Sequence, residues 1–506
     1  MELRMIAADR RLDGTGLLIL MVLSSGCATV AQPTPAPAVA QPTPAPALAQ
    51  PAPVPAVAPP STPSLSSFIE KEISRIPFGH AVWGIHVEDG DGTLLYSHQG
   101  DRLMIPASNR KLFTAALNEA CFALDSTIPT ELWIDGEIEQ GTLEGDVVIK
   151  GYGNPAFIGR YDEASKDAAL LPFFAALEEA GIRRIAGDVI GDGSAFDRDV
   201  FHGSWQLEDV GTSDQTPIDA LSFNENVAGL FFTLPTCGED EAAWSDPWFV
   251  PARADLECGE ARSLRYFSTA ENEVGVEGSV SAPIADTEVE LVSIRDASLY
   301  AAQGLHAELT RRGIVIRGDA RAGIAPSSAV KIATIDSPIL AELLSTMMKA
   351  SQNLYADALF KRMGGSPATW EGALSVERSF LVDEVGISGE EFSFADGSGL
   401  SLRNFVTPRA VVKLVRWLHA PPRAGANRVI FTTPGESGTL RTRLGDLEDR
   451  VRGKTGTLTG VSALSGWIEG EDGGVRYFSI IVNHYAASAR AAREVTDAIV
   501  NEIARF

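Results

Sequence analysis

The pattern of the sequence changes twice along the chain, and these two changes indicate how the fold is divided. Residues 68–131 and 329–506 offer both helix-like and strand-like stretches, whereas residues 132–328 are Gly-rich, strand-like and punctuated by Gly-Asp and Asp-Gly pairs. Such pairs mark turns between short strands. We therefore predict an α+β domain built from the two end pieces and interrupted by a large β-rich insertion at 132–328.

The N-terminus reads as an export signal. Leu17–Leu23 is an apolar run followed by small residues, and it is too short to span a bilayer. We predict a signal peptide at 1–26. The Gly26-Cys27 pair is similar to a bacterial lipobox, so we expect Cys27 to be lipidated after cleavage. Ordinary secretory cleavage near Ala28 or Ala31 is the alternative.

A Pro/Ala linker follows, within residues 27–67. Three near-copies of one nonapeptide occupy 32–40, 41–49 and 50–58. Segments of this composition form no core and adopt extended polyproline-like chain. At ~3.1 Å per residue the three copies would reach roughly 80 Å. We expect an exported protein of the periplasm or cell envelope, held by this linker.

Charge and motif content exclude several function classes. Lys and Arg total 42 against 67 Asp and Glu, which leaves a formal net charge of −25. This charge argues against nucleic acid and against an anionic membrane surface, so we expect membrane contact only through the lipid anchor. The sequence has no CxxC, HExxH or GxSxG motif. We predict no metal and no cofactor.

A serine followed three residues later by a lysine occurs at Ser108/Lys111 and at Ser328/Lys331. Ser108 opens a helix pattern, in which positions separated by three lie on one face. Ser328 leads into a strand pattern that would separate its pair. A desolvated lysine close to a second cation loses its proton readily and can act as a base toward a serine hydroxyl. Ser108 and Lys111 are therefore the favoured pair.

Two further motifs complete an ordered set. Ser-x-Asn occurs at Ser222/Asn224 and at Ser351/Asn353, and the second pair lies on a turn between helical stretches. Lys-Thr-Gly occurs once, at Lys454-Thr455-Gly456, on a strand flanked by glycines. The order Ser-x-x-Lys, Ser-x-Asn, Lys-Thr-Gly in these local contexts is far more specific than any single motif.

With these motifs in place, the chain resembles the penicillin-binding D-alanyl-D-alanine carboxypeptidase/endopeptidases, the low-molecular-mass class C group. The matching stretches include PASNRKLFTAAL around Ser108, FNEN at 223–226, SQNLYADAL at 351–359, FADGSGLS at 394–401, GTLRTR at 438–443 and GKTGTLTG at 453–460. The resemblance implies a serine β-lactamase/transpeptidase-like domain, an antiparallel sheet flanked by helices. It also implies cleavage of D-Ala-D-Ala bonds or peptide cross-links through an acyl-serine. Peptidoglycan stem peptides and β-lactam antibiotics are the implied partners.

The resemblance also implies a role for each motif residue. The implied catalytic residues are Ser108 as nucleophile, Lys111 as general base and Ser351 as proton relay. Implied binding residues are Asn353 for the substrate amide, Lys454 and Thr455 for a terminal carboxylate, and the backbone N–H groups of Ser108 and Thr457 for the oxyanion.

Two positions depart from the family pattern. Asn154 stands where the family has an Asp that is expected to pair with the ammonium of a diaminopimelate side chain. Leu402 stands where the family has an Arg expected to meet that side chain's carboxylate, and Arg403 follows one place later. Asn154 and Arg403 remain candidates for substrate binding, but we expect an altered side-chain pocket.

Two rival functions stay open. A serine β-lactamase-like hydrolase would share the acylation residues, but no deacylating glutamate stands at the usual spacing. A non-catalytic cell-wall-binding scaffold would keep the fold, and the complete motif set argues against it. The chain has four cysteines. Cys237 and Cys258 could form a disulfide, which would leave Cys121 as a buried free thiol. Alternatively, all three thiols could be free. Oligomeric state stays open.

Overall fold

The computed structural model describes residues 64–157, 170–234, 236–237 and 241–506. The predicted signal peptide, Cys27 and residues 28–63 of the predicted linker lie outside these residues. The last residues of the predicted linker, 65–67, instead belong to a helix that runs over Leu65–Ile73. None of the helices in the described ranges is both long and apolar enough to cross a bilayer.

Helices occur in both end pieces and in the middle of the chain. They are α1 (Leu65–Ile73), α2 (Lys111–Cys121), α3 (Leu171–Glu179), α4 (Ala297–Arg311), α5 (Leu340–Lys349), α6 (Asn353–Lys361), α7 (Trp370–Ser379), α8 (Pro408–His419), α9 (Ala424–Ile430) and α10 (Ala489–Arg505). Several begin at a polar cap. The Ser488 side chain, for example, accepts from the Ala491 N–H at the start of α10.

Strands form most of the remainder. They are β1 (Val82–Asp89), β2 (Leu94–His98), β3 (Pro129–Glu139), β4 (Thr142–Gly151), β5 (Arg184–Ile185), β6 (Val189–Asp192), β7 (Val227–Leu234), β8 (Ala242–Asp246), β9 (Ala252–Cys258), β10 (Ser263–Ser268), β11 (Val274–Val280), β12 (Ile284–Ser293), β13 (Val315–Ile316), β14 (Ala320–Ala322), β15 (Val330–Asp336), β16 (Phe392–Ser393), β17 (Phe405–Val406), β18 (Val451–Leu458), β19 (Val461–Glu469) and β20 (Val475–Asn483).

One antiparallel sheet joins the two ends of the described chain. Its order is β18-β19-β20-β1-β2, and β1 pairs with β20 from Val82 opposite Asn483 to Asp89 opposite Arg476. Alternate strand residues face opposite sides. Leu464 joins the apolar cluster under α1 and α10, whereas Ala463 joins the cluster formed with α2, α5, α6 and α8. This antiparallel sheet flanked by helices confirms the predicted α+β fold class.

The middle of the chain folds around a separate apolar core. A seven-stranded sheet contains the path β13-β5-β4-β3-β15, with β6 and β14 beside it, and α3 and α4 contribute to its core. Two three-stranded sheets, β10-β11-β9 and β12-β7-β8, complete this β-rich region. The seven-stranded sheet includes strands that start at Pro129 and end at Asp336. It therefore extends beyond both ends of the predicted insertion at 132–328.

The cysteines follow one of the two sequence alternatives. Cys237 and Cys258 form a disulfide within the β-rich region. Cys121 is free and exposed, because it is the last residue of α2 and lies beyond the buried residues Lys111–Asn118. The expectation of a buried Cys121 thiol is therefore wrong.

Candidate active site

Ser108 and Lys111 meet at the start of α2. Ser108 lies on a short 3₁₀ turn, Ala107–Arg110, that leads directly into the helix, of which Lys111 is the first residue. The spacing of three places the two side chains together, and Lys111 Nζ donates to Ser108 Oγ over 3.0 Å. Ser108 is partly exposed whereas Lys111 is fully buried.

Lys111 has two further acceptors, Asn353 Oδ1 at 2.7 Å and the Ser398 carbonyl oxygen at 2.8 Å. Burial lowers the pKa of Lys111 to about 8, while the charges of Asp357 and Asp396 oppose this shift. A lysine with a pKa closer to neutrality spends more of its time as the free amine that can accept a proton. Its geometry and environment both suit a general base next to Ser108.

Ser351 and Asn353 come from the turn between α5 and α6. Ser351 has a left-handed backbone, with φ of 57°, which is uncommon for a serine. Asn353 begins α6 and makes contacts on both sides, because its Oδ1 accepts from Lys111 and its Nδ2 donates to the Asp214 carbonyl over 2.9 Å. The turn thus brings the second motif directly onto the first.

Lys454 lies on β18, which is an edge strand of the five-stranded sheet. Its Nζ donates to Ser351 Oγ and to the Thr455 carbonyl, each over 2.8 Å. Burial, and then the nearby charge of Lys111, hold the pKa of Lys454 well below its ordinary range. The third motif is therefore in direct contact with the second.

Gly456 allows this strand to lie against the nucleophile turn. A Cβ at position 456 would come within 2.7 Å of the Pro106 carbonyl oxygen and 2.9 Å of the Ser108 nitrogen. These are backbone atoms that cannot rotate away. Only glycine permits this close approach of β18 to the Ser108 backbone.

A cleft of about 380 Å³ opens over these residues. Five of the residues singled out in the sequence line it: Ser108, Ser351, Asn353, Thr455 and Thr457. The buried Lys111 and Lys454 reach it through their bonds to Ser108 and Ser351. The motifs separated along the chain thus converge on one site.

The cleft is also lined by residues that the sequence did not single out. They are Gln206, Glu208, Asp209, Asp214, Gly399, Leu400 and Thr439, among others. The FADGSGLS and GTLRTR matches contain Gly399, Leu400 and Thr439 and could have indicated them. Thr439 shares a 2.6 Å hydrogen bond between hydroxyl groups with Thr455. We call the segment 206–214 the acidic wall, because Glu208, Asp209 and Asp214 line the cleft there. No sequence signal marked it.

This acidic wall is attached to the body of the site by the residues that precede it. Trp205 Nε1 donates to Asp396 Oδ2 over 2.9 Å, and the hydroxyl groups of Ser204 and Ser401 lie 2.6 Å apart. The carboxylates of the wall are crowded, since burial and then the charges of Glu208 and Asp214 raise the pKa of Asp209. The β-rich region of the chain therefore supplies one side of the cleft.

The structure does not bring Asn154 or Arg403 into the lining of the cleft. Asn154 is buried, its Oδ1 accepts from the Ala156 N–H over 2.9 Å, and its Nδ2 lies 3.4 Å from Thr130 Oγ1. Its amide therefore closes a local turn. Arg403 is exposed, and its backbone N–H donates to Ser401 Oγ.

The duplicate motifs lie elsewhere. Ser328 donates to Asp135 and Lys331 pairs with Glu131, both on the seven-stranded sheet. Ser222 Oγ accepts from Asn226 Nδ2 over 3.2 Å. Neither duplicate lines the cleft.

Comparisons with known proteins agree with this geometry. The model of the D-Ala-D-Ala carboxypeptidase 3 (S13) family matches residues 65–505. The D-alanyl-D-alanine carboxypeptidase of Actinomadura sp. strain R39 is 30% identical over 457 residues, which cover 84% of this chain and 82% of the relative. D-alanyl-D-alanine carboxypeptidase DacB of Haemophilus influenzae is 24% identical over 443 residues, covering 84% of this chain and 90% of the relative.

Solved structures show the same fold. The crystal structure of penicillin binding protein 4 (dacB) from Haemophilus influenzae superposes with a TM-score of 0.77 at 23% identity, covering 87% of this chain and 99% of that one. A second structure of that protein, complexed with a β-lactam, gives a TM-score of 0.73 over the same shares of the two chains. The family resemblance drawn from the motifs is confirmed: the chain belongs to the D-Ala-D-Ala carboxypeptidase 3 (S13) family and is a serine-type carboxypeptidase.

Proposed function

We propose that this protein is an exported DD-peptidase that hydrolyses the terminal D-Ala-D-Ala bond of peptidoglycan stem peptides, and D-Ala cross-links, through an acyl-serine. One observation carries the proposal: Lys111 Nζ lies 3.0 Å from Ser108 Oγ at a cleft that also exposes Ser351, Asn353 and Thr455. The names of the two curated relatives, both D-alanyl-D-alanine carboxypeptidases, support the substrate.

Acylation begins with a proton transfer. Neutral Lys111 takes the proton of Ser108 as Oγ forms a bond to the carbonyl carbon of the penultimate D-Ala. The carbonyl oxygen becomes an oxyanion, and the backbone N–H groups of Ser108 and Thr457 are the proposed donors to it. In serine hydrolases one such donor contributes about 3–4 kcal/mol, and a positioned base contributes about 10²–10⁴-fold in rate.

Collapse of the tetrahedral intermediate breaks the peptide bond. The leaving amine needs a proton, and Ser351 is the proposed donor because Lys454 holds its hydroxyl at 2.8 Å and can replace the proton. Before deacylation, the proton that Lys111 took from Ser108 passes to Lys454, so that Lys111 is again a neutral amine. Water then attacks the acyl carbon as Lys111 takes one of its protons, and Lys111 gives that proton to Ser108 Oγ as the acyl–oxygen bond breaks. Each proton removed in one half-reaction is returned in the next, so the enzyme is regenerated.

The remaining residues position the peptide. β18 is an edge strand of its sheet and residues 455–459 line the cleft, which suits the addition of an extended substrate strand there. Asn353 is the proposed partner of the substrate amide, and Lys454 with Thr455 the proposed partners of the terminal carboxylate. A β-lactam presents a carboxylate and an acylating carbonyl together, so we propose that it occupies the same positions and acylates Ser108.

Export and anchoring are part of the proposal. The apolar run at 17–23 and the Gly26-Cys27 pair support lipidation of Cys27, and the Pro/Ala repeat supports a spacer between the membrane and the catalytic body. In the periplasm or cell envelope, such a spacer would let the cleft reach the wall peptide.

Mass spectrometry of the intact protein after incubation with benzylpenicillin tests the central step. We expect one added drug mass that maps to Ser108 and persists, with none on Ser108→Ala. Release of D-Ala from an acyl-D-Ala-D-Ala peptide should be lost in the same variant. Acylation of Ser108→Ala would refute the nucleophile, rapid loss of the adduct would favour a β-lactamase, and absence of both reactions in the unaltered protein would favour a scaffold.

A further inference from the structure

Ser398 connects a buried carboxylate to the lysine base. Its carbonyl oxygen accepts from Lys111 Nζ over 2.8 Å, and its N–H donates to Asp357 Oδ1 over 2.9 Å. The same Asp357 oxygen accepts from the Gly397 N–H over 2.7 Å. Asp357 therefore fixes the residue against which Lys111 is held.

Helix α6 contributes two residues that hold Lys111 in place. Asp357 lies four residues after Asn353, and residues at this spacing share one face of a helix. Asn353 contacts Lys111 directly through Oδ1 at 2.7 Å, while Asp357 contacts it through Ser398. One face of one helix thus provides both a direct and an indirect contact to the base.

The charge of Asp357 is not needed for these hydrogen bonds. Oδ1 accepts both backbone N–H groups, as the oxygen of an asparagine could, whereas Oδ2 has no hydrogen-bond partner in the described part of the chain. Asp357 is fully buried. A buried carboxylate with an unsatisfied oxygen is costly, so its presence beside the base points to a use for its charge.

Several charged groups surround Lys111. Asp357, Asp396 and Asp214 favour its ammonium form, while Arg110 and Lys454 oppose it. Asp396 is satisfied by Trp205 Nε1, by Asn404 Nδ2 and by the Gly399 and Ser401 N–H groups. Arg110 is neutralised by a bidentate pair with Glu377. Asp357 differs from Asp396, whose two oxygens both accept hydrogen bonds, because its Oδ2 has no hydrogen-bond partner in the described residues.

We infer that Asp357 is a positioning residue for acylation, which holds Ser398 against Lys111 and uses its carboxylate charge to set how readily that lysine gives up its proton. The inference rests on Lys111 acting as the base in the proposed function. Burial raises the pKa of Asp357 and lowers the pKa of Lys111, while the charge of each group opposes the shift of the other.

The test is the pH dependence of the benzylpenicillin acylation rate in Asp357→Asn. The asparagine keeps an acceptor for both N–H groups and removes the charge. Because an opposite charge nearby shifts a pKa by about 1–3 units, we expect the rising limb of the profile to move to lower pH by about one unit or more. The plateau at high pH should change by less than about tenfold, since the positioning contact stays.

Two further variants make the result decisive. Asp219→Asn removes another buried carboxylate, which accepts hydrogen bonds from the Ser298 hydroxyl and the Leu221 N–H. The rising limb of the pH profile of this variant should stay at the wild-type pH. Asp357→Glu keeps the charge on a longer side chain, and should lower the plateau while leaving the limb in place. If Asp357→Asn does not fold, a shifted limb in Asp357→Glu would itself contradict the inference.

If the pH profile of acylation in Asp357→Asn has an unshifted rising limb and a lowered plateau, Asp357 is a purely structural residue and the inference is overturned. The proposed function fails by a different result, which is wild-type acylation by Lys111→Ala. Loss of acylation in Lys111→Ala together with an unshifted limb in Asp357→Asn would therefore reject the inference alone.

Discussion

Lys454 Nζ and Ser351 Oγ lie 2.8 Å apart, in the same way that Lys111 Nζ and Ser108 Oγ lie 3.0 Å apart. The site therefore contains two lysine–serine pairs, and both lysines are buried. Only the first serine is placed on the nucleophile turn. The two pairs have the same chemistry but different expected tasks.

Replacing each lysine should separate these tasks. We predict that Lys111→Ala lowers benzylpenicillin acylation by about 10²–10⁴-fold, the usual effect of losing a positioned base. Lys454→Ala should weaken the capture of substrates that carry a free terminal carboxylate, and it should also slow peptide cleavage because Ser351 then lacks its proton source. Stopped-flow acylation, with kcat/KM for matched peptide acid and peptide amide substrates, measures both effects. Equal small losses at the two positions would contradict the assigned roles.

Acylation should rise with pH. The reactive form of Lys111 is the neutral amine, and burial lowers its pKa to about 8. Below that pH the ammonium form dominates and the rate should fall about tenfold per pH unit, whereas above it the rate should level off. A pH series of acylation rates at constant ionic strength checks this. A rate that falls as pH rises through 8 would exclude Lys111 as the base.

Gly456→Ala should disable the site without unfolding the protein. The added Cβ would lie 2.9 Å from the Ser108 nitrogen, so β18 or the nucleophile turn must move. A displacement of about 1 Å can cost about 10²-fold in rate, and we expect a loss of acylation of this order. Gly425→Ala, where a Cβ meets nothing within 4 Å, is the control and should keep the wild-type rate. Similar rates for both variants would argue against the close approach.

The enzyme should discriminate only weakly between peptides with and without a diaminopimelate side chain. Asn154 is neutral and closes a local turn, and Arg403 lies outside the lining of the cleft. The charged side chains that line the cleft, within the described ranges, are Glu208, Asp209 and Asp214. We therefore predict that kcat/KM for a diaminopimelate peptide exceeds that of a matched peptide lacking the free amino and carboxyl groups by less than about 100-fold, a difference of about 2.7 kcal/mol.

Two matched peptides refine this prediction. Blocking only the side-chain ammonium should lower kcat/KM, because the wall carries carboxylates, while blocking only the side-chain carboxylate should have little effect. Because Asn154 is buried and lies outside the lining of the cleft, Asn154→Asp should leave the preference for diaminopimelate unchanged. A preference above 100-fold in the unaltered enzyme would show that other residues rebuild the pocket.

Cys27 should carry a lipid. We predict that the full-length protein sediments with membranes and that Cys27→Ser changes its fraction. Mass spectrometry of the mature N-terminus gives the direct answer. A mature chain that begins at Thr29 or Gln32 would contradict lipidation and favour ordinary secretory cleavage.

The sequence predicted the motif residues because each motif is local. Ser108 and Lys111 are three residues apart, and their contact follows from helical geometry alone. The acidic wall could not be predicted in this way, since Asp214 meets Asn353 only through the packing of distant segments. Asp357 was visible within SQNLYADAL, but its bond to Ser398 depends on a turn forty-one positions later.

Boundaries and exposure were less predictable than motifs. The seven-stranded sheet includes β3 from Pro129 and β15 to Asp336, because strand pairing rather than composition decides where a sheet ends. Cys121 was expected inside its helix, but the last turn of α2 leaves the core. Both differences arise from tertiary packing, which local sequence patterns do not record.

The pairing of β1 with β20 has a consequence for synthesis. The five-stranded sheet needs strands from both ends of the described chain, and Ile105 beside the nucleophile turn bonds to the Asn483 side chain. Contacts between such distant segments form late, because a long loop must close before they stabilise anything. A growing polypeptide that stops before β18 lacks Lys454 and the edge strand. Reactivity toward penicillin should therefore emerge only after β18, β19 and β20 have been made, so that it can serve as a marker of completed folding of the catalytic sheet.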